Sequence, residues 1–500
     1  MAATLVIGVD IGTTATKSVA FSIDGTAVAS ASVGYPLDEP APGYAVQDPQ
    51  LIVAAVLSTI RSVVEEVGAD AIAGLSFSSA MHSLIALDDH ADPLTPSITW
   101  ADSRAAGQAE RLRGTELGRR LHRATGTPIH AMSPAIKLQW FRDEDPTTWD
   151  AARFWVGIKE FVLWRLSGEL VMDHSLASCS GLLDIHRLDW SDDALQLSGV
   201  QRSQLPRLVS TTAVLPGLTA EAAAATGLAP STRIVVGGGD GPLANLGVGA
   251  VRPGVVACSL GTSGALRVAV DRPVVDPDGA VFCYAITEDR WVVGGAINNG
   301  GVTLEWVRRT LGEWASTIEM LDAAAEVLAG SGGLLMLPYL LSERAPHWDS
   351  TARGSYVGLS RAHGPEHLAR AAVEGVVLQL ALVLRSLEAA GLDIVEIRAT
   401  GGPLKHPLWQ QTLADVFGAG IGLLDDAEGS SYGAAILGMV GLGLVESIDV
   451  AVAHSPVGLT VSPRPEAAEV YRELLPLFDG LYSALLPTHA RLRELRLPLA

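Results

Sequence analysis

The sequence predicts an α/β protein made of two related domains, and three observations carry that prediction. The chain has 500 residues, more than a single hydrophobic core usually organises. An apolar strand, a Gly-Thr turn and a second strand occur at residues 5–21 and again at residues 255–267. Short apolar runs elsewhere alternate with segments of helical periodicity. We place the boundary after residue 247, which gives domains 1–247 and 248–500.

The first hairpin combines groups that suit a phosphate. Its first strand ends at Asp10, and Gly12 permits the tight turn that follows. Thr13, Thr14 and the turn amides are donors for phosphate oxygens, and Asp10 stands where a hydrated Mg²⁺ could bridge to them. The spacing is not that of a Walker loop. A polar hairpin beside a buried strand is the alternative interpretation.

The second hairpin repeats this device with Gly261, Thr262 and Ser263 in its turn. Two such hairpins half a chain apart indicate two lobes, each directing one turn at a shared nucleotide. We also expect Lys17, on the returning strand of the first hairpin, to contribute to the nucleotide site.

Composition excludes several partners. The formal net charge of −20 argues against nucleic acids and anionic membranes. The three cysteines show neither metal-ligand nor disulfide spacing, which favours a reducing compartment. We recognise no secretory signal and no segment of the length and apolarity of a membrane helix, so the expected location is the cytoplasm.

Local signals define the first elements in order. Asp24-Gly25 indicates a turn before a third strand near residues 26–31. Asp48 is a candidate N-cap for a helix over residues 49–67. An apolar run at residues 71–76 predicts the next strand.

The loops after that strand carry candidate substrate contacts, because ligands of open α/β sheets lie at the carboxyl ends of strands. Met81 and His82 follow it directly, and His82 could hydrogen-bond a polyol. Trp100 could form an apolar wall, while Asp102 and Arg104 would fix hydroxyl groups or a carboxylate. A structural histidine and a core tryptophan are the alternatives.

Two helices should follow, one after the loop at residues 132–133 and one opening at residues 157–160. Lys137 of the first is interpreted, taken alone, as a surface cation. Lys159 of the second is a candidate for a substrate carboxylate, after Arg104. The small polar segment at residues 175–181 is expected to line the floor of a cleft.

Asp240 is the candidate general base. An apolar strand at residues 234–236 runs into three glycines and then into this single aspartate. The glycines let backbone approach a ligand, and a carboxylate placed there suits accepting a proton from an attacking hydroxyl. Its alternative role is the N-cap of the helix that follows.

The second domain shows two further glycine turns. A strand at residues 291–296 leads to Gly301 and a helix, and a strand at residues 394–399 leads to Gly401 and Gly402. Amides of a Gly-Gly turn before a helix suit a nucleotide phosphate, and Lys405 follows them. Between these turns a long helix begins at Pro365, extends to about residue 390 and has Gly391 as its candidate C-cap. The loop at residues 342–348 is assigned no role.

Two segments resemble the signatures of the FGGY carbohydrate kinases. Residues 132–144 match the N-terminal signature with Lys137 and Trp140 in their spacing, and residues 354–374 match the C-terminal one. With the hairpins, the resemblance covers residues 4 to about 445. It implies two actin-like, ribonuclease-H-type ATPase domains with a cleft for ATP or ADP, Mg²⁺ and a sugar or polyol.

The resemblance also implies roles for single residues. Asp10 corresponds to the metal-associated aspartate and Asp240 to the catalytic base. The residues implied to contact nucleotide are Thr13, Thr14, Thr262, Gly301, Gly401 and Gly402, and those implied for the substrate wall are His82, Trp100 and Asp102. Pro403 and His406 differ from the residues common at their positions, so the prediction covers phosphate contacts and not adenine contacts.

Within the family, residues 81–86, 98–104 and 157–161 are most similar to gluconokinases. This implies phosphorylation of the terminal hydroxyl of D-gluconate. The alternatives are a xylulokinase or other polyol kinase and, from another class, an actin-like sugar sensor or filament protein. The expected partner is a small sugar or sugar acid, with a homodimer as an option.

Overall fold

The structure, a computed structural model, describes residues 4–312, 314–424, 429–452 and 458–495. Its strands are, in chain order, β1 Leu5–Ile11, β2 Ala15–Ser22, β3 Ala27–Gly34, β4 Val46–Gln47, β5 Ile72–Ser79, β6 Ile85–Leu87, β7 Ser97–Ile98, β8 Phe154–Val156, β9 Val171–Asp173, β10 Leu183–Asp184, β11 Asp189–Trp190, β12 Arg207–Val209, β13 Val214–Leu215, β14 Arg233–Gly239, β15 Val255–Leu260, β16 Gly264–Val270, β17 Phe282–Thr287, β18 Arg290–Ile297, β19 Leu335–Leu337, β20 Ser355–Val357, β21 Glu396–Thr400, β22 Ile421–Leu423 and β23 Thr460–Val461.

The α-helices alternate with these strands over most of the chain. They are α1 Pro49–Val67, α2 Ala106–Leu112, α3 Glu116–Thr125, α4 Pro134–Glu144, α5 Pro146–Ala151, α6 Ile158–Ser167, α7 His174–Cys179, α8 Asp192–Ser198, α9 Ala220–Thr226, α10 Asp240–Gly247, α11 Gly301–Thr310, α12 Thr317–Ala325, α13 Pro365–Ala389, α14 Pro407–Phe417, α15 Gly429–Gly441, α16 Ile448–Val452 and α17 Pro465–Glu494.

The chain forms two compact units that do not follow simple halves of the sequence. Unit 1 comprises Met1–Pro253, Ala269–Val293 and Ala427–Pro456. Unit 2 comprises Gly254–Val268, Gly294–Asp426 and Val457–Ala500.

Unit 1 is built on a six-stranded sheet in the order β13-β14-β5-β1-β2-β3. Strands β1 and β2 form the predicted antiparallel hairpin, with Asp10 opposite Lys17. Strand β1 also pairs in parallel with β5, and β5 pairs in parallel with β14. The sheet therefore brings the ends of β1, β5 and β14 to one edge, and it confirms the predicted α/β class.

Helices α1 and α15 pack on this sheet, and the sequence predicts the start of the first of them. The Asp48 side chain accepts a hydrogen bond from the backbone N–H of Gln50 at 2.8 Å and caps α1, as predicted. Helix α15 comes from far along the chain and packs on β1 and β5. A Cβ on Gly8 would lie 2.0 Å from the carbonyl oxygen of Ser431, so only glycine permits this approach.

Unit 2 repeats the hairpin in its own sheet. Strands β15 and β16 are antiparallel, and β15 also pairs in parallel with β21. Strands β22 and β23 extend the sheet beyond β21. Each unit therefore carries one strand–turn–strand device beside a parallel strand, as the repeat in the sequence predicts.

Helix α13 departs from one prediction. Among the described helices it is the one long and apolar enough to cross a membrane, whereas we recognised no such segment in the sequence. Most of its apolar stretch is buried inside the fold, as in the core helix of a globular domain. Its extent confirms the predicted limits, with Pro365 as its first residue, but the C-cap is Ala390 and the predicted cap Gly391, with a φ of 84°, follows it.

Candidate active site

Three predicted site segments meet at the edge of the unit 1 sheet. Asp10 on β1 and Gly238 on β14 both align with Ser78 of the central strand β5. Met81 and His82 follow β5, and Asp240 follows β14. Because neighbouring strands lie about 4.8 Å apart, Asp10 and the start of α10 are separated by roughly 10 Å.

Neighbouring side chains hold the turn of the first hairpin from several sides. The Gly12 N–H donates to the Ala15 carbonyl at 3.0 Å, and the Tyr35 hydroxyl donates to the Gly12 carbonyl at 2.6 Å. Gln47 Nε2 donates to the Thr13 carbonyl at 2.6 Å. The turn is therefore ordered by the protein itself.

The Thr13 hydroxyl contacts the predicted substrate wall. Trp100 Nε1 donates to Thr13 Oγ1 at 2.9 Å, which joins a wall residue to the phosphate turn. Thr14 is exposed at the tip of the turn, and Lys17 is partly buried on β2. The structure thus brings Gly12, Thr13, Thr14 and Lys17 to the hairpin that carries Asp10.

Asp240 is placed by an irregularity in β14. The register of β14 against β5 shifts between Val235 and Gly238, and Gly237 has a φ of 74°. A Cβ on Gly237 would lie 1.8 Å from the carbonyl oxygen of Phe77. Such a bulge turns the following residues. Asp240 then opens α10 as its first residue and Gly239 is the N-cap, so the alternative role of Asp240 as the cap is wrong.

Met81 and His82 form a strained corner beside the glycine strand. His82 is buried with a φ of 67°, a conformation that non-glycine residues rarely adopt. Its Nδ1 lies 2.9 Å from the Cys179 carbonyl oxygen. Met81 packs where a Cβ on Gly239 would lie, 3.0 Å from its Cγ. Cys179 belongs to the segment 175–181 predicted to line the floor of a cleft, and residues 175–179 of that segment lie in the buried helix α7.

Asp102 and Arg104 form a buried, bidentate pair. Arg104 Nε lies 2.9 Å from Asp102 Oδ1, and a terminal nitrogen lies 2.8 Å from Oδ2. Asp102 Oδ2 also accepts from the Ala45 N–H at 2.8 Å. The Arg104 guanidinium lies 3.9 Å from the centre of the Tyr44 ring and 5.1 Å from that of Trp140. Asp102 therefore orients the guanidinium, and aromatic rings fix its plane.

Lys159 does not join this group. Its side chain is fully buried, and its ammonium lies 2.5 Å from Asp173 Oδ2 and 3.1 Å from the Val236 carbonyl oxygen. This geometry favours a role in holding β14 over contact with a substrate carboxylate. The neighbouring Glu160 is also fully buried, and desolvation raises its pKa to about 7.

In unit 2 the second hairpin and a glycine turn are in direct contact. The Gly301 N–H donates to the Gly261 carbonyl at 2.7 Å, and the Gly300 N–H donates to the Thr262 carbonyl at 3.0 Å. Gly261 and Thr262 are exposed at the tip. The predicted nucleotide residues Gly261, Thr262 and Gly301 thus form one cluster.

Gly401 and Gly402 lie beside that cluster. Gly401 has a φ of 129°, and a Cβ there would lie 1.9 Å from the Leu260 carbonyl oxygen. The predicted helix follows this turn, but not directly. A 3-10 turn, Gly402–Lys405, intervenes, with Gly402 and Lys405 exposed. Helix α14 starts later, where the side chain of His406 accepts from the Leu408 N–H and caps it.

Glu343 is a site residue that sequence reasoning missed. It is fully buried, and its Oε1 accepts from the N–H groups of Asn298 at 2.6 Å and Arg344 at 2.8 Å. Its Oε2 accepts from Asn299 Nδ2 at 3.1 Å. Burial raises the pKa of Glu343 to about 7. The carboxyl group of Glu343 thereby holds the turn that leads into Gly300. Nothing in the sequence of the loop at residues 342–348 indicates this role.

The residues near Asp10 fit a magnesium ion held largely by other ligands. Among the described residues, no group of three or more His, Cys, Asp or Glu side chains could hold a metal. Mg²⁺ commonly binds through one or two carboxylates together with waters and substrate phosphates. The partly buried Asp10 carboxylate beside the threonine turn suits that mode.

Comparison with known families decides the classification. The model of the FGGY carbohydrate kinase N-terminal domain matches residues 5–247, and that of the C-terminal domain matches residues 256–442. The chain belongs to the FGGY family of carbohydrate kinases. Membership confirms the resemblance read from the two signatures and the expected actin-like fold.

Known FGGY proteins provide more specific likenesses. The chain is 40% identical over 491 residues to the gluconokinase of Bacillus subtilis, covering 95% of each protein. It is 30% identical over 495 residues to the xylulose kinase of the same species, covering 98% of this chain and 99% of the other. Two Lactobacillus acidophilus structures, described as a gluconate kinase and as a ligand-bound xylulose kinase, each match with a TM-score of 0.94, 36% identity and coverage of 98% of this chain and 100% of theirs.

Proposed function

We propose that this FGGY kinase transfers the γ-phosphoryl group of ATP to the terminal hydroxyl of D-gluconate, giving 6-phospho-D-gluconate and ADP. The observation that carries the proposal is the edge of the unit 1 sheet. Asp10 lies near the end of β1, and the Met81–His82 corner and Asp240 follow the neighbouring parallel strands β5 and β14. A phosphate-type turn, a substrate wall and a carboxylate base are the parts that phosphoryl transfer needs, since its catalysis consists mainly of positioning and electrostatic stabilisation.

Each group has a defined task in this proposal. Asp240 accepts the proton of the attacking hydroxyl. Mg²⁺ supplies charge neutralisation at the phosphates when bound, and Asp10 would hold it through water. The amides and hydroxyls of the half-buried Thr13 and of the exposed Thr14 and Thr262 donate to phosphate oxygens. Gly301 and Gly401 allow backbone to approach the nucleotide closely.

Arg104 is the proposed ligand of the gluconate carboxylate. Asp102 engages Nε and one terminal nitrogen of its guanidinium, which leaves the N–H groups of the other terminal nitrogen for a second carboxylate. Guanidinium suits planar carboxylates because it can donate two parallel hydrogen bonds. The Asp102 pair and the flanking rings would fix the direction of those donors.

The product tests this proposal. Purified enzyme should convert gluconate and ATP to a sugar-acid monophosphate whose ³¹P resonance couples to the C6 protons. Phosphate at another position would contradict the assigned hydroxyl. D-Xylulose is the second candidate, since a ligand-bound xylulose kinase matches this chain equally well in structure. A panel containing both substrates separates the two.

A further inference from the structure

The ammonium of Lys137 lies in the interior of unit 1, beneath the two loops that carry the candidate substrate residues. Its side chain is fully buried, which corrects the sequence-based interpretation of a surface cation. Lys137 Nζ donates to the carbonyl oxygens of His82 at 2.7 Å and Thr99 at 2.7 Å, and lies 3.4 Å from that of Ile98. The three N–H groups of an ammonium thus meet three backbone acceptors.

These carbonyls mark the place where the two loops separate. Leu84 and Ile98 exchange both backbone hydrogen bonds, at 3.0 and 2.9 Å, as an isolated antiparallel bridge. Two residues beyond this bridge, on the same side of it, one segment reaches His82 and the other reaches Trp100, both in turns outside the strands. Lys137 therefore joins the two loops at their open end.

Burying a lysine here carries a large desolvation cost, which suggests that its charge has a role. Removing an ammonium from water is costly, and burial lowers the pKa of Lys137 to about 7. Methionine would fill a similar volume without that cost. His82 also has its unusual φ of 67°, which persists only where the surroundings enforce it.

We propose that Lys137 is a positioning residue that fixes the separation of His82 and Trp100, and thereby the fit of the sugar acid. The proposal rests on the proposed function for its substrate. It assigns Lys137 no contact with the substrate. It acts through the carbonyl oxygens of His82 and Thr99, and so fixes the backbone that carries the side chains of His82 and Trp100.

The test compares Lys137→Met with Gln139→Leu. Gln139 is also buried on α4, but its Nε2 donates only within the helix, to the Ala135 carbonyl at 3.3 Å. Lys137→Met should raise the KM for gluconate at least tenfold and change the KM for ATP less than twofold. Amide hydrogen exchange should rise in peptides covering residues 80–84 and 97–103 and stay unchanged in the hairpin 5–22. Gln139→Leu should change neither quantity.

Two results would overturn the proposal. The first is a Lys137→Met variant whose KM for gluconate and amide exchange equal those of wild type. The second is a Lys137→Met variant whose amide exchange rises evenly across unit 1. If Lys137→Met does not fold, the same two measurements are made on Lys137→Arg. Arginine keeps the positive charge, but its N–H groups cannot reach the same three carbonyl oxygens in the same geometry. Unchanged loop exchange in that variant would also reject the proposal. The exchange experiment needs no substrate, so wild-type enzyme inactive on gluconate would refute the proposed function and leave this inference to be judged by exchange alone.

Discussion

Trp100 Nε1 donates a hydrogen bond to Thr13 Oγ1 over 2.9 Å, so one contact connects the predicted substrate wall of unit 1 to its predicted phosphate turn. Thr13 is held a second time through its carbonyl by Gln47. The two candidate half-sites of this unit are thus mechanically connected. Changes at the wall should therefore be felt at the nucleotide.

This contact predicts coupling between the two residues. Trp100→Phe and Thr13→Val should each raise the KM for ATP. The loss of apparent ATP-binding free energy in the double variant should be smaller than the sum of the losses in the two single variants. The difference should be about 0.5–1.5 kcal/mol, the net contribution of one hydrogen bond. Trp164→Phe, on α6, serves as the control for loss of an indole. Strict additivity in the cycle would show that the contact has no energetic role.

Asp240→Asn should bind gluconate and ATP normally while its turnover falls by roughly two to four orders of magnitude, as expected for loss of a general base. Calorimetry measures binding and a coupled assay measures turnover. Asp192→Asn is the matched control, because Asp192 is likewise the first residue of a helix but lies on the surface. Near-normal turnover of a folded Asp240→Asn would reject the base assignment.

Asp10→Asn should act through magnesium and leave folding intact, because asparagine keeps the volume and most hydrogen bonding of aspartate. Indirect ligands that orient a bound metal typically account for 10–100-fold in metal affinity. We therefore expect the Mg²⁺ concentration for half-maximal activity to rise by about that factor at saturating ATP. An unchanged magnesium requirement would remove Asp10 from any part in metal placement.

Glu160 predicts a pH dependence of stability. Burial raises its pKa from 4.5 to about 7, so the folded state holds a proton that the unfolded state has already released. The stabilisation is complete below pH 4.5 and is lost as pH rises towards 7. At 1.36 kcal/mol per pKa unit, the loss is on the order of 3 kcal/mol.

The measurement is urea unfolding of wild type and Glu160→Gln at pH 5 and pH 8. Glutamine still accepts from the Gly157 N–H but carries no charge, so its advantage over wild type should be larger at pH 8. The exposed Glu116 is the control: hydrogen bonds from Arg123 and Arg119 lower its pKa below 4.5. Both pH values lie above that range, so Glu116→Gln should differ from wild type by nearly the same amount at pH 5 and pH 8. Equal differences at both pH values for Glu160→Gln would contradict the buried, protonated assignment.

Sequence reasoning succeeded where the signal was local. Both hairpins, the Asp48 cap and the glycine approach to Asp240 depend on residues within a few positions of each other. It failed where partners were distant. The burial of Lys137 depends on carbonyls 38 to 55 positions away, and α15 packs on β1 across most of the chain.

Two further features were not predicted. The start of α14 is one, because His406 caps that helix after the 3-10 turn Gly402–Lys405. Glu343 is the other: it supports the turn before the predicted nucleotide residue Gly301 from a loop to which sequence reasoning assigned no role. No periodicity marks such a residue, because its partners Asn298 and Asn299 lie more than 40 positions away. The individual site assignments and the boundary after residue 247 stay predictions.

The assignment of D-gluconate as the substrate is best tested by comparing kcat/KM for D-gluconate and for D-xylulose. Both values are measured with one enzyme preparation at saturating ATP. Gluconate carries a carboxylate that Arg104 would bind, and a charge-assisted hydrogen bond contributes about 1.5–3 kcal/mol. We therefore expect a preference for gluconate of at least about tenfold. Equal values, or a preference for D-xylulose, would contradict the gluconate assignment.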